Sequence, residues 1–292
     1  MPLIDRITAG ARLRACIASG DVTVAPGAFD GMSARLVARA GFPAVYASGG
    51  AISRSLGIPD LGLLSMDRIV ARVAAMCDAV DIPVIADADT GYGNALNTQR
   101  AVQAFERAGA AGVHLEDQLF PKRCGHYEGK TLVPVAEMAQ KLRAARDACR
   151  DSDFVIIART DAIAIEGLDG ALERAHAYRD AGADVTFVEA PTSREQIERI
   201  AREIPGPKLI NMFHGGKTPL VPADELAAMG YAIVIIPSDL QRAAIHAMQA
   251  TLEAILRDGH SMAVADHMVS FQDREAVIET DRWLDRDSRY AA

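Results

Sequence analysis

Two aspartates, Asp87 and Asp89, stand two residues apart at the end of the apolar segment PVIADAD. On a β-strand this spacing directs both side chains to the same face. Glu116, at the end of the next apolar segment, GVHLED, adds a third carboxylate. Carboxylates this close repel one another unless a cation neutralises them, and an oxygen-only set favours Mg2+ or Mn2+ over zinc. A solvated acidic rim is the alternative, and we prefer the metal site.

A second cluster surrounds Cys124 in the segment PKRCGH. Lys122, Arg123 and His126 can favour a thiolate electrostatically or orient a thiol. A cysteine in such a setting is a candidate general acid, base or nucleophile. An ordinary surface thiol in a basic loop is the alternative, and local chemistry alone leaves both interpretations open.

Eight short apolar segments, each followed by a stretch of helical periodicity, must position these residues. They are VTVAP, AVYAS, PVIADAD, GVHLED, FVIIART, VTFVEA, KLINMF and AIVIIP. Strands that are apolar throughout are typical of a parallel sheet covered by helices. Several helices end in glycine just before a strand, as C′ caps do: Gly41, Gly109, Gly182 and Gly230. The pattern predicts an α/β fold, a closed (β/α)8 TIM-type barrel.

The 292 residues are expected to form a single domain, since barrels of this kind reach that length. We expect an N-terminal helix over roughly residues 3–19 and a helical C-terminal extension over roughly residues 258–292. The longest stretch without a clear element, Gln118 to Val133, is predicted to be a functional loop.

Polar residues end seven of the eight strand segments. In such barrels the active site forms at the carboxyl ends of the strands. Emergence of the chain into water accounts for one or two such residues more easily than for a whole series. The series is Asp30, Ser48, Asp87 with Asp89, Glu116 with Asp117, Arg159, Glu189 and Asn211.

Composition narrows the class of partner. The net charge of −8 argues against nucleic acid and against an anionic membrane surface, which clustered Lys and Arg normally meet. Neither a secretory signal nor an apolar run long enough to cross a bilayer is recognised, so a cytoplasmic protein with a small-molecule substrate is expected. The four cysteines contain no CxxC pair, which disfavours a disulfide framework and a structural zinc site.

The ordered motifs AVYASGG, IPDLG, DADTGYGNALN, HLEDQ, PKRCGH, IARTDA, FVEAP and NMFHGGKTP resemble the isocitrate lyase and phosphoenolpyruvate mutase superfamily, roughly from Pro26 to Pro237. The PKRCGH loop is similar to the lyase branch, which includes 2-methylisocitrate lyase and lyases of 2-alkylmalates such as 2,3-dimethylmalate. Phosphonomutases and phosphonopyruvate hydrolases usually carry a different loop there, without the cysteine.

The resemblance implies a site for Mg2+, with Mn2+ as a substitute, and for a carboxylate substrate. Asp87 is implied to bind the metal directly. The residues implied to act on the metal mainly through water are Asp89, Glu116 and Asp60. Those implied to hold the 2-oxo acid half of the substrate are Ser48, Gly49, Gly50 and Arg159. The further lining implied is Glu189 and Asn211, with Gly125 and His126 for the second carboxylate and Tyr46 near the substrate hydroxyl.

The implied reaction is a retro-aldol cleavage of a 2-hydroxy di- or tricarboxylate, of the 2-methylisocitrate or 2-alkylmalate type. Its products are a 2-oxo acid such as pyruvate and a carboxylate such as succinate or propionate. Cys124 is expected to protonate the carbanion as general acid while the loop excludes water. Lys122 and His126 of the same loop are further catalytic candidates. The resemblance also implies a homotetramer with exchanged C-terminal helices.

Departures from the lyase pattern keep alternatives open. His214 stands where the lyases more often carry glutamate, and residues 236–238 also differ, although Arg242 matches a substrate-binding arginine. GGKT at 215–218 lacks the full spacing of a phosphate-binding loop. The alternatives are turnover of phosphonopyruvate or phosphoenolpyruvate, hydrolysis or decarboxylation of oxaloacetate, and a barrel that binds a dicarboxylate without catalysis.

Overall fold

The computed structural model describes residues 7–125 and 127–291. Eight parallel strands pair in chain order, and the last closes against the first. The strands are β1 Thr23–Ala28, β2 Val45–Ala47, β3 Val84–Asp87, β4 Gly112–Glu116, β5 Val155–Thr160, β6 Val185–Val188, β7 Lys208–Asn211 and β8 Tyr231–Ile236. The predicted TIM-type barrel is confirmed, with strands buried on both faces.

Helices alternate with these strands. They are α1 Ala9–Ile17, α2 Gly31–Arg39, α3 Gly49–Ser55, α4 Met66–Ala79, α5 Ala95–Arg107, α6 Val135–Ala148, α7 Ile163–Asp180, α8 Arg194–Glu203, α9 Ala223–Ala228, α10 Asp239–Asp258, α11 Phe271–Ile278 and α12 Thr280–Tyr290, with a 3-10 helix at Met262–His267. None of the helices in the described ranges has the length and apolar composition needed to cross a bilayer.

The chain divides between Ser238 and Asp239 into two compact units. The first contains the barrel and the second contains α10, the 3-10 helix, α11 and α12. The predicted extension begins near residue 258, where α10 ends, so the second unit starts one helix earlier than that expectation. The predicted N-terminal helix is present as α1, while residues 1–6 lie outside the described part of the chain.

The predicted glycine caps have the backbone conformation that this position requires. Gly41, Gly109, Gly182 and Gly230 have φ of +86°, +92°, +104° and +85°. An L-residue rarely adopts such φ values, whereas glycine does so without a Cβ penalty. Asp30 caps the other end of a helix, because its carboxylate accepts a 2.7 Å hydrogen bond from Ser33 N at the start of α2.

The interior of the barrel is filled by side chains that alternate along each strand. One cluster of buried side chains includes Tyr46, Ile85, Ile157, Phe187 and Leu209 from five different strands. Leu13 of α1 belongs to the same cluster. Because α1 precedes β1 and its Arg14 bonds the carbonyl oxygen of Asp153, just before β5, this helix covers the amino end of the barrel.

Candidate active site

On five of the strands the inward-facing residue at the carboxyl end is polar. Two-residue spacing keeps a side chain on the same face of a strand, so these groups meet at the carboxyl end of the barrel. All of them are buried: Asp87, Glu116, Arg159, Glu189 and Asn211. The structure thus brings together five of the strand-end residues that the sequence singled out, whereas Asp30 caps α2 and Asp117 bonds Thr160 and Tyr178.

Asp87 lies at the centre of a buried hydrogen-bond network. Its carboxylate accepts from Gly49 N at 3.2 Å and from the Tyr46 hydroxyl at 3.3 Å, and lies 3.1 Å from His114 Nε2. Burial raises the pKa of Asp87, but His114, Lys122 and Arg159 together outweigh burial and hold the pKa below its usual range. Burial and Asp87 together raise the pKa of Tyr46, so its phenol is a hydrogen-bond donor.

Lys122 brings the loop's positive charge into the acid cluster. Its Nζ lies 2.5 Å from Asp60 Oδ1 and 2.8 Å from Asp89 Oδ1. Burial raises the pKa of Asp89 to about 6, although Lys122 opposes that shift. Asp89 also has a left-handed φ of 47°, which is unusual outside glycine and tends to occur at functional sites.

Arg159 is the second buried cation of the site. Its guanidinium forms a fork on Asp161, with Nε 2.9 Å from Oδ2 and NH2 3.1 Å from Oδ1. It also lies 3.4 Å from Glu116 and 3.5 Å from Glu189. Burial raises the pKa of Glu116 well above its usual value despite Arg159. Within the described residues, Glu116 Oε1 is buried without a hydrogen-bond partner.

Two glycines after β2 allow the close approach of acidic side chains. A Cβ at Gly49 would lie 2.7 Å from Asp87 Oδ2, and one at Gly50 would lie 2.9 Å from Asp60 Oδ2. Ser48 begins α3 and accepts a 3.3 Å hydrogen bond from Ala51 N. The Ser-Gly-Gly segment therefore brings its backbone close to the acid cluster, and Gly49 N already donates to Asp87.

The loop that carries Cys124 folds over the mouth of the barrel. Lys122 and Gly125 are buried and Cys124 is half-buried between them. A Cβ at Gly125 would clash with the Arg159 guanidinium and would lie 2.8 Å from Glu189 Cγ, so the loop backbone contacts both groups.

The remaining predicted residues have more varied positions. His126 lies outside the described residues. Asn211 donates to Glu189 Oε1 at 3.4 Å, as a lining residue should. His214 is exposed in the loop after β7. Arg242 lies in α10 of the second unit, where its NH1 is 3.5 Å from Asp239 Oδ1.

Two site residues were missed from the sequence. His114, fully buried on β4, hydrogen-bonds the Tyr46 hydroxyl at 2.7 Å and pairs with Asp87. Asp161 pairs with Arg159 and with Lys130, whose Nζ is 2.9 Å away. The available signal was the two-residue spacing of His114 from Glu116 and of Asp161 from Arg159, because such residues share a strand face.

The carboxylates suit a hard divalent cation by their chemistry. Asp60, Asp87, Asp89 and Glu116 offer only oxygen donors, and one Glu116 oxygen is buried without a partner. Across residues 7–125 and 127–291, however, no group of three or more His, Cys, Asp or Glu side chains is arranged to hold a metal ion. In this conformation Lys122 pairs with Asp60 and Asp89, and Arg159 lies beside Glu116.

A strand-end acid cluster beneath a cysteine loop defines the class of protein. The chain belongs to the family described as phosphoenolpyruvate phosphomutase, whose model matches residues 13–256, within the PEP mutase/isocitrate lyase superfamily. It is 44% identical to 2,3-dimethylmalate lyase of Eubacterium barkeri over 282 residues, 96% of this chain and 98% of that one. The family inferred from the motifs is confirmed.

Two further similarities are to a second lyase and to a hydrolase. The chain is 43% identical to 2-methylisocitrate lyase of Aeropyrum pernix, over 89% of this chain and 83% of that one. It is also similar to the solved structure of a phosphonopyruvate hydrolase in complex with oxalate and Mg2+. The TM-score is 0.89 and the identity 33%, over 97% of this chain and 99% of the other.

Proposed function

We propose that this protein is a Mg2+-dependent carbon–carbon lyase that cleaves a 2-hydroxy di- or tricarboxylate of the 2-alkylmalate or 2-methylisocitrate type. The products are a 2-oxo acid such as pyruvate and a second carboxylate. The observation that carries the proposal is the placement of the Cys124 loop against Arg159 and Glu189, directly over the strand-end acids. The two lyase relatives support the same reaction class.

The 2-oxo acid half of the substrate is assigned to the floor of the site. Arg159 is suited to a carboxylate because its guanidinium is planar and is already oriented by Asp161. Ser48, Gly49 and Gly50 supply short side chains and backbone donors beside it. Asn211 and Glu189 line the adjacent wall.

The metal is assigned to the carboxylates of Asp87, Asp89, Glu116 and Asp60. A divalent cation at such a set stabilises negative charge on a substrate oxygen. The phosphonopyruvate hydrolase complex with oxalate and Mg2+ supports this assignment, because oxalate is a small dicarboxylate. Manganese satisfies the same donor chemistry.

Tyr46 and Cys124 are assigned to proton handling. With its raised pKa the Tyr46 phenol is protonated, so its role is to hold the substrate hydroxyl by a hydrogen bond. The hydroxyl gives its proton to a carboxylate of the acid cluster, and the carbon–carbon bond breaks with its electron pair on the departing carboxylate fragment. The Cys124 thiol then gives its proton to that carbanion. Gly125 and His126 are assigned to the second carboxylate, and Lys122 holds the loop on Asp60 and Asp89.

Phosphonopyruvate or oxaloacetate turnover is the second candidate. Both substrates have an oxo acid half that the same floor could hold. The observation that favours it is Lys217, which together with Lys130 lines a cavity of about 440 Å3 beside the Cys124 loop. Barrels can bind phosphate after strands seven and eight, where Lys217 lies.

The decisive experiment is a substrate panel assayed with Mg2+ for 2-oxo acid release. It contains 2-methylisocitrate, isocitrate, 2,3-dimethylmalate and other 2-alkylmalates, oxaloacetate and phosphonopyruvate. Cleavage of a 2-alkylmalate or methylisocitrate supports the lyase. Turnover of phosphonopyruvate or oxaloacetate alone would replace it with the second candidate, and Mg2+-dependent binding without products would indicate a binding barrel.

We also propose that the second unit mediates assembly into a homotetramer. Its helices carry many exposed apolar side chains, which usually indicate a surface that binds another protein. Examples are Leu252, Leu256, Phe271, Trp283 and Leu284. Light scattering of the full chain tests this, and a monomer at micromolar concentration would contradict it.

A further inference from the structure

The Cys124 loop is attached to the barrel in two different ways. Its base is held by backbone hydrogen bonds, from Leu119 N to Thr131 O at 2.7 Å and from Val133 N to Asp117 O at 2.9 Å. Its tip, around Cys124 and Gly125, is held by side chains instead. The position of the thiol over the site therefore depends on those side-chain contacts.

Gln118 clamps the backbone of Arg123, and Lys130 makes a buried contact to Gly125 on the other side of Cys124. The Lys130 side chain is 3% exposed, and its ammonium donates to Gly125 O at 2.5 Å and to Asp161 Oδ1 at 2.9 Å. Hydrogen bonds from a buried charged donor are stronger than neutral ones. Lys130 thus ties the residue beside Cys124 to the end of β5.

Asp161 receives this contact on the same carboxylate that orients Arg159. Its Oδ1 accepts from both Lys130 and Arg159 NH2, and its Oδ2 accepts from Arg159 Nε. The Asp161 backbone is fixed in turn by a 3.0 Å hydrogen bond from its N to Asp117 Oδ1. Asp117 also accepts a hydrogen bond from the Tyr178 hydroxyl at 2.8 Å, so Asp161 is held by a buried hydrogen-bond network.

We propose that Asp161 and Lys130 are positioning residues that couple the substrate-binding arginine to the seating of the cysteine loop. Through one carboxylate, Arg159 is aimed at the substrate and Gly125 is drawn down so that Cys124 lies over the reacting carbon. Neither residue touches the reacting atoms. The kinetic part of this proposal rests on the proposed lyase function, whereas the loop part does not.

The test compares Lys130→Met with Lys208→Met as a matched control. Lys208 is also a buried lysine that donates to backbone carbonyls, of Ile204 and Gly206, but it lies at the amino end of β7. Hydrogen exchange of loop residues 119–130 is measured on the full-length protein without substrate. We expect about tenfold faster exchange in Lys130→Met only, the scale of one charged hydrogen bond.

Kinetics supply the second readout. With an active substrate, Lys130→Met is expected to lower kcat about tenfold or more and to raise KM less than Asp161→Asn does, because Arg159 keeps its partner. Asp161→Asn is expected to lower kcat and also raise KM. Unchanged loop exchange in Lys130→Met, or an equal loss of kcat in Lys208→Met, would overturn the proposal. If no substrate is turned over but exchange increases as expected, the loop anchor stands and the lyase assignment fails.

Discussion

The two ends of the barrel use charge in opposite ways. At the amino end, Asp184 accepts hydrogen bonds from Arg14, Arg146 and Ile156 N, so one carboxylate meets two cations. At the carboxyl end, Asp60 and Asp89 compete for Lys122, and Glu116 keeps one oxygen without a partner. The first arrangement compensates its charge, and the second leaves an excess of negative charge.

This difference assigns the amino end of the barrel to stability and the carboxyl end to activity. The ion pair between Arg14 and Asp184 holds α1 on the barrel and lies at the end opposite the candidate active site. Uncompensated carboxylates lower the stability of the metal-free protein, because buried charge without a partner is costly. Such a cost is tolerated where the excess charge attracts a cation, so substitutions at the two ends should have different consequences.

The largest expected effect is at Cys124. Cys124→Ala removes the proton donor and is expected to lower kcat by about 10² to 10⁴, the usual contribution of a general acid. Cys16→Ala, in α1 at the opposite end, is the control and is expected to keep wild-type turnover. Steady-state kinetics measure both. Wild-type turnover in Cys124→Ala would remove the thiol from the reaction.

Asp87 tests the metal assignment. Asp87→Asn keeps the shape of the side chain but removes charge, and is expected to reduce metal-dependent turnover about a thousandfold. The wild-type enzyme is expected to lose activity in EDTA and regain it with Mg2+ or Mn2+. The matched change at the amino end, Asp184→Asn, should leave kcat unaltered. An enzyme indifferent to EDTA contradicts the assignment.

A pH profile tests the excess charge directly. Burial raises the pKa of Asp89 to about 6, so this carboxylate takes up a proton as pH falls through that value. We expect Mg2+ affinity to weaken about tenfold per pH unit below about pH 6. Isothermal titration at several pH values measures this. If the Mg2+ affinity is the same at pH 5 and at pH 7, Asp89 does not contribute to metal binding.

Stability should respond with opposite signs at the two ends. Since the folded-state pKa of Asp89 is raised, ionised Asp89 destabilises the fold above about pH 6 and has no such effect below its unfolded value of about 4. Asp89→Asn is therefore expected to raise the metal-free unfolding free energy at pH 7, by the order of 1 kcal/mol. At pH 4 the gain should vanish. Urea unfolding measures both values.

The smallest effect is expected at Arg14. Arg14→Met removes its hydrogen bonds to Asp184 and to the carbonyl oxygen of Asp153. Because the side chain is about a third exposed, solvent screening limits the loss of unfolding free energy to about 1 kcal/mol. Turnover should stay at the wild-type level. If Arg14→Met lowers kcat without lowering stability, the amino end of the barrel also contributes to activity.

Sequence periodicity was sufficient for the barrel and for the acids on its strands. Asp87, Glu116 and Arg159 could be placed because apolar runs fix the strands and parallel strands end at one edge. The glycine caps followed from one conformational requirement, which Gly41 and Gly109 meet. Both features depend only on residues that are close together in the sequence.

The electrostatic partners could not be obtained in this way. Lys122 meets Asp60 across 62 residues, and Lys130 meets Asp161 across 31, so neither pair has a spacing that a pattern detects. His114 was overlooked because a histidine within an apolar strand has the same pattern as a core residue. Only the folded arrangement shows that its ring bonds Tyr46 and Asp87.

Closure of β8 against β1 leaves every strand with a neighbour on both sides. The ring therefore stays bonded whatever sequence its connecting loops carry, and new loop sequences can be sampled without exposing unpaired backbone. A segment such as the one holding His214, exposed and outside the ring, is where altered substrate preference should arise first during divergence. Libraries confined to that segment are expected to give folded variants at high frequency.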